Sequence, residues 1–396
     1  MYDGMTDTGR RRTFVRRPTL VVVSVLAVLL GGALVGVTAL AARSDSHTSG
    51  RWRSAPQSGP SASAAPTASS TATGTSVSFS ATGDIIMANA PSRLPAGGGA
   101  GFFDSVRSTL AADVVMGNLE EPLTEDTGVS KCGASSSGCH QFRAPPSYAK
   151  LLRDAGFTLL NQANNHGNDY GPAGYRNTQE ALDRYGLKHT GAPEEITVVE
   201  VHGVKVAVVG FSSYPWNNSL INIDEAKRVV REAAGRADLV VVQVHMGAEG
   251  SDKAHVRPGT EIFLGENRGD PIKFSHAVID AGADLVVGHG PHVLRGMEFY
   301  KGRLIAYSLG NFAGGGGTLS KSGRLGLGGV LKVSLRPDGS WERGQLASTY
   351  LNGAGRPTVD THRRGAGLVR ELTRSDFPST GARLTSDGAI SPPRTG

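Results

Sequence analysis

From Ser76 onward, short apolar runs alternate with stretches of helical spacing, and five of those runs end on a side chain able to hold a metal or move a proton. That repeat constrains the chain more than any other feature. Residues 77–81 lead into Thr82-Gly83-Asp84, residues 114–116 into Gly117-Asn118-Leu119-Glu120, and residues 158–160 into Asn165-His166. Residues 239–244 end at His245, and residues 285–287 at His289. Strands separated by helical patterns specify an α/β fold. In open α/β sheets, ligands bind outside the carboxyl ends of the strands. One such end means little; five in one chain describe a site.

The intervening stretches fill in the pattern. Residues 102–112, 175–185, 223–236 and 272–282 carry helical spacing. Residues 145–156 read as a helix with proline in its first turn and a glycine stop. Residues 196–201 and 204–211 are apolar runs joined at His202-Gly203, most simply a hairpin. Residues 303–307 and 330–335 add strands, the second before the turn signal Pro337-Asp338-Gly339. A short helix is expected around 368–373, with the rest of the C-terminal region as loop.

Charge is placed unevenly along the chain. Eight arginines and three aspartates fall in residues 1–75, so nearly all of the formal net charge of +6 belongs there. The body is close to neutral, which argues against a polyanion-binding body such as a nucleic-acid binder and leaves room for a local basic patch. Residues 19–42, from Thr19 to Ala42, form an uncharged run of Val, Leu, Ala and Gly long enough to span a bilayer core. Five arginines precede it in residues 1–18 and only Arg43 follows closely, which places the N-terminus in the cytoplasm and the body outside. An uncleaved anchor in contact with membrane lipid is the favoured reading. Cleavage after the small residues near Ala41 is the alternative, and both export the body. Residues 43–75, rich in Ser, Thr, Ala and Pro, cannot bury enough apolar surface to offset ordering entropy and read as a flexible spacer. The two cysteines, Cys132 and Cys139, then read as a local disulfide in an exported protein, with a metal pair as the rival.

The stretch from Leu159 to Gly171, LLNQANNHGNDYG, concentrates an amide, an imidazole and a carboxylate behind a strand. Asp84, Glu120, Asn165, His245, His289 and His292 together mix oxygen and imidazole donors. That mixture suits a centre of one or two divalent ions, Mn, Fe, Zn or Mg, which activates a water and offsets charge on a phosphoryl group. His166 can protonate a leaving atom, since imidazole titrates near neutrality, and Asp169 can orient it. Asn164 fits a turn role. The Gly-rich stretches 97–99 and 314–317 lack the Lys-Ser/Thr of a phosphate loop. Gly210-Phe211-Ser212 lacks the second glycine of a nucleophile elbow.

Taken together, TGDIIM, GNLEEPLT, QANNHGNDYG, HMGAEG and GHGPHVL, followed by YSLGNF, resemble in content and order the motifs of the CapA family of capsule biosynthesis, also called the poly-γ-glutamate synthesis family. The resemblance covers about residues 76–312. That family looks like a branch of the calcineurin-like metallophosphoesterases, so the resemblance implies a metallophosphatase-like two-sheet α/β sandwich flanked by helices. It further implies Asp84 as first-strand ligand, Glu120 in the place of the bridging carboxylate, Asn165 as amide ligand and His166 as acid. His245, His289 and His292 complete the metal shell. Four departures accompany it: Ile86 stands where the phosphoesterase motif carries His, and Glu120 replaces Asp. The last histidines are spaced His289-x-x-His292, and Met246 replaces the more usual Trp while Glu249 is retained. Ile86 leaves one metal position short of a donor, so one ion is expected to bind tightly and one weakly.

The expectation is therefore a membrane-anchored, outward-facing protein. A catalytic domain over residues 76–350 follows the spacer, and a partly ordered extension runs from 351 to 396. As a hydrolase it acts on an anionic surface polymer or a phosphoester, alongside a capsule-synthesis membrane complex. The competing expectation is a non-catalytic polymer-binding or export subunit with a degenerate metal site.

Overall fold

The structure, a computed structural model, describes residues 75–132 and 138–394. The expected basic segment, the membrane segment and nearly all of the spacer lie outside the described residues. Among the described residues no helix is long and apolar enough to cross a membrane.

β1 (Val77–Ile86), β2 (Val114–Leu119), β3 (Leu159–Asn161) and β4 (Lys188–Thr190) pair in parallel in that order. They start the first sheet. The second is assembled from β5 (Thr197–Val201), β6 (Val204–Ser212), β7 (Asn218–Ser219), β8 (Leu239–His245), β11 (Leu285–His289), β12 (Met297–Tyr300) and β13 (Arg303–Ala306). Its strand order is β12-β13-β11-β8-β6-β5, with β7 beside β6. A small hairpin, β9 (Ile262–Phe263) and β10 (Glu266–Asn267), stands apart. The chain then returns to the first sheet with β14 (Asn311–Gly314), β15 (Leu327–Leu335), β16 (Trp341–Leu351), β17 (Pro357–Val359), β18 (Arg383–Leu384) and β19 (Ala389–Ser391). The first sheet runs β18-β19-β16-β15-β1-β2-β3-β4.

Side-chain alternation explains why the sheets stack. Leu239 and Val241 of β8 join Phe79 and Ala81 of β1, Met116 of β2 and Leu285 and Val287 of β11 in the core between the sheets. Val240, Val242 and Val244 of β8 face the other way and meet the helices α4 (Ile223–Ala234) and α5 (Pro271–Asp280). A strand buried on both faces reads as an unbroken apolar run, which is what β8 shows. On the outer side of the first sheet, Ile85, Val115 and Leu160 pack on α1 (Arg107–Leu110), α2 (Ala149–Ala155) and α3 (Gly171–Arg184). The result is a two-sheet mixed α/β sandwich with helices outside, the coarse architecture expected. Phe79 sits fully inside it, and its truncation to Ala would cost roughly 3–5 kcal/mol.

Local boundaries differ from expectation in three places. Residues 102–112 form a run of turns followed by the single helical turn of α1, although Phe102, Phe103, Val106 and Leu110 are buried at the spacing of a helix face. α3 begins at Gly171, four residues early, because Pro172 is tolerated in a first turn where its missing N–H needs no partner. The segment from residue 351 onward completes the first sheet through β17, β18 and β19, and α6 (Arg364–Asp376) is longer than the short helix expected.

Candidate metal centre

The centre forms where β1, β2, β8 and β11 end. A bulge in β1 places its first residue: the register with β2 shifts between Ala81 and Asp84, and that with β14 between Asp84 and Ile85. Bulges re-aim side chains, and here Asp84 is left fully buried. Gly83 permits the turn, since a Cβ there would collide with the carbonyl of Gly310, the group that accepts the Asp84 amide at 3.0 Å. Asn118 donates to Asp84 Oδ1 at 2.9 Å, while its own Oδ1 accepts from Asn161 and Asn164, each at 3.0 Å. Three amides thus fix one oxygen of Asp84.

Glu120 follows β2 directly. Its Oε1 lies 3.1 Å from His245 Nε2 and 3.6 Å from His292 Nε2. His292 Nδ1 sits between Asn311 Oδ1 at 2.8 Å and Asp84 Oδ2 at 3.1 Å. Asp84, Glu120 and His292 therefore offer ligand atoms that all lie within 4.8 Å of one another. The His292 backbone is left-handed, φ 59°, a conformation that non-glycine residues adopt rarely and that clusters at functional sites.

His245 and His289 are register partners at the ends of β8 and β11, both fully buried. Gly290, φ 110°, follows, and a Cβ there would press on the His245 ring at 3.0 Å. Neither ring nitrogen of His289 has a hydrogen-bond partner, and Glu120 Oε2, His245 Nδ1 and Asn165 Oδ1 are buried without one as well. An unpaired buried polar atom costs about 1–3 kcal/mol, so the cluster is unfavourable by itself. Imidazole nitrogen with carboxylate and amide oxygen is a donor set that a divalent transition metal satisfies. The residues fit such an ion.

The electrostatics have the same sense. Burial acts to raise the Asp84 pKa, but the hydrogen bond and charge of His292, helped by His289 and His245, outweigh it and hold the carboxyl down. Burial pushes Glu120 up, against the charge of His292. It pulls His245 down to about 3 and His289 to about 4, so both rings are neutral and their nitrogens free to ligate. His292 goes the other way: burial opposes its charge, but Glu120 and Asp84 raise it well above the ordinary value.

His166 and Asp169 form the adjoining wall. His166 Nδ1 lies 2.7 Å from Asp169 Oδ2, and the imidazole packs on Phe142 with centroids 4.6 Å apart. Asp169 is fully buried; it also accepts the Phe142 amide at 2.8 Å and faces Lys131 Nζ at 3.1 Å. Lys131 and Phe142 flank the Cys132–Cys139 pair, which is disulfide-bonded as expected. The bonded loop thus grips Asp169 from both of its ends. Asn164 is the turn residue, its Oδ1 accepting the His166 amide at 3.0 Å. The structure brings Asp84, Glu120, His245, His289 and His292 into one cluster. Asn165 joins through Glu249, 3.5 Å from its Nδ2.

Three further side chains belong to the site. Glu249 lies 3.7 Å from His292 Nε2 and pairs at 2.9 Å with Arg268, itself buried. Burial acts to raise the Glu249 pKa, and the charges of His292 and Arg268 outweigh it. The motif HMGAEG pointed to Glu249 without giving it a contact. Asn311 was visible only as the Asn of YSLGNF. Arg268 carries no signal in the sequence, because it reaches Glu249 from an irregular stretch after β10.

The family model described as bacterial capsule synthesis protein PGA_cap matches residues 78–315. The chain is 33% identical over 302 residues to the capsule biosynthesis protein CapA of Bacillus anthracis, covering 70% of this chain and 66% of that one. It is 32% identical over 255 residues to the PGA biosynthesis protein CapA of Bacillus subtilis, covering 60% of this chain and 63% of that one. The matches span less than two thirds of either relative's length. A solved 5'-nucleotidase precursor from Thermus thermophilus overlaps 77% of this chain and 60% of its own at a TM-score of 0.39 and 14% identity, too loosely to weigh on function.

Proposed function

Because the chain belongs to the bacterial capsule synthesis protein family, we propose that it is a divalent-metal-dependent hydrolase acting on an anionic cell-surface polymer, poly-γ-glutamate in the first instance. The observation that carries this reading is the cluster of buried donors without partners, set beside a histidine held by a carboxylate. Asp84, Glu120 and His292 would hold one ion; Asn165, His245 and His289, sharing Glu120, would hold a second. A divalent ion supplies a polarised water and neutralises charge on the substrate oxygen. Asp169 accepts from the Nδ1–H of His166, so a proton taken up at Nε2 makes an imidazolium that the carboxylate stabilises and that can hand the Nε2 proton to the leaving atom. Glu249 and Arg268 hold Asn165 and His292 in place.

The exported, membrane-anchored location follows from the arginine-flanked run at residues 19–42 and is supported by the disulfide, which persists in oxidising compartments. One observation favours a second reading, a non-catalytic polymer-binding subunit of a capsule-synthesis complex. Ile86, buried at the end of β1, supplies no donor to the ion beside Asp84. The test is turnover of a phosphodiester and of a γ-glutamyl amide by the full chain with Mn, Zn or Mg. Loss of turnover in His166→Ala with metal content unchanged supports the hydrolase. Polymer binding without turnover of either substrate, by wild type and variant alike, supports the subunit.

A further inference from the structure

At the edge of the first sheet remote from β4, α6 and β18 border a cavity of about 650 Å³. Arg370 and Arg374 enter it from α6, Arg383 from β18, and Arg394 from the segment after β19. No Asp or Glu lines it, and Ser379 and Ser391 add hydroxyls. Of the nearby carboxylates, Glu371 is exposed on α6 outside the lining of the cavity, and the others are engaged elsewhere. Asp376 holds His255 and Arg257, Asp360 holds Arg364, Glu298 holds His276, and Asp387 accepts from Thr385. Arg370 and Arg374 stand four residues apart on one helix, where like charges repel, and two more arginines converge on them. A carboxylate seated among them would offset that repulsion.

We propose that this cavity binds a segment of a polycarboxylate chain and hands that chain to the metal centre; the substrate class rests on the function proposed above. The guanidinium fork matches carboxylate geometry in a way that a single ammonium does not. The helix that carries two of the arginines begins beside the centre. Gly365 lies against Leu294 and Gly328, and Leu368 packs on the same small apolar cluster as Leu325, whose carbonyl accepts from Asn311. α6 has 13 residues, so it covers about 20 Å. A ligand that uses both places is therefore a polymer, and a monomer or dimer reaches only one.

The test compares the full-length chain with Arg370→Gln/Arg374→Gln/Arg383→Gln. All three side chains are exposed or half-exposed, and a melting curve verifies that the variant is folded. Binding of fluorescent poly-γ-glutamate is expected to weaken about tenfold in the variant, with a shallower dependence on salt. Turnover of a γ-glutamyl dipeptide stays as in wild type. Equal polymer affinity in the folded variant overturns the proposal. So does a wild type that binds phosphatidylglycerol vesicles through these arginines and not the polymer. Polymer binding is also measured in His166→Ala, which separates the two readings. Arginine-dependent binding with no turnover of any substrate removes the hydrolase and keeps the cavity. Turnover without arginine-dependent binding does the reverse.

Discussion

Replacing Asp169 by Asn tests the acid wall with the least change of shape. The carboxylate serves three donors: His166 Nδ1 at 2.7 Å, the Phe142 amide at 2.8 Å and Lys131 Nζ at 3.1 Å. His166 and Phe142 share Oδ2 and Lys131 faces Oδ1, so an Asn whose oxygen takes the Oδ2 place keeps the first two contacts as neutral ones and turns its NH₂ toward Lys131. The Lys131 contact is inverted and the two at Oδ2 lose their charge assistance, so the expected destabilisation is about 2–3 kcal/mol. Over a domain of this size that lowers Tm by several degrees. The kinetic effect should be larger, because a neutral amide no longer stabilises the imidazolium that carries a proton on Nε2. We expect kcat to fall about 10²- to 10³-fold, with the alkaline limb of the pH profile altered and metal content unchanged. The assay pairs a pH series of kcat with metal analysis on the same sample. A fall in stability with kcat and pH profile intact would refute the orienting role of Asp169.

Three further outcomes follow from the structure. Removing the disulfide with Cys132→Ser/Cys139→Ser should cost about 2–3 kcal/mol through loop entropy. It should also lower kcat, because Lys131 and Phe142 hold Asp169 from the two flanks of that loop; matched melting and kinetic runs with and without thiol measure both. Gly83→Ala must displace the Gly310 carbonyl and disturb the Asp84 amide bond to it. A loss of about 2–4 kcal/mol is expected, with a lower metal content, and denaturant titration would show it. Asp376 binds His255, Arg257 and the Val256 amide; burial acts to raise its pKa, and those partners outweigh it. Because the folded value is depressed below 3.8, its contribution is present above that pH and is lost as pH falls through the folded value. Arg257 and His255 are solvent-exposed, so screening limits the effect to about 1 kcal/mol. The stability gap between wild type and Asp376→Asn should hold at pH 6 and close near pH 2; a gap independent of pH would contradict the assignment.

What the sequence discloses depends on where each residue's partners lie. β8 and β11 were legible because both of their faces are buried and the run is unbroken. β16 was not, since WERGQLASTYL mixes Gly and polar residues, and its partners β15, β17 and β19 decide its conformation. Strand-end residues such as His245 and His289 could be read because parallel pairing aligns those ends without further information. Asn118 and Glu120 both follow the β2 run in the sequence, and only the register shows Asn118 binding Asp84 while Glu120 meets the histidines. Arg268 reaches the site through tertiary contact alone. The α6 arginines were equally silent, because a short helix in an expected loop gives no sign of what it packs against.

The central claim is that the buried donors exist to hold a divalent ion, and metal analysis by plasma mass spectrometry tests it most directly. The full chain would be dialysed against trace Mn, Zn and Mg, and then melted with and without chelator. Wild type is expected to retain at least one ion and to lose several degrees of Tm on chelation, since an ion bound only to the folded state stabilises it. Asp84→Asn and His292→Ala should lose that ion and the chelator response together. A wild type that holds no divalent ion at saturating metal, and melts at the same temperature in chelator, would contradict the claim.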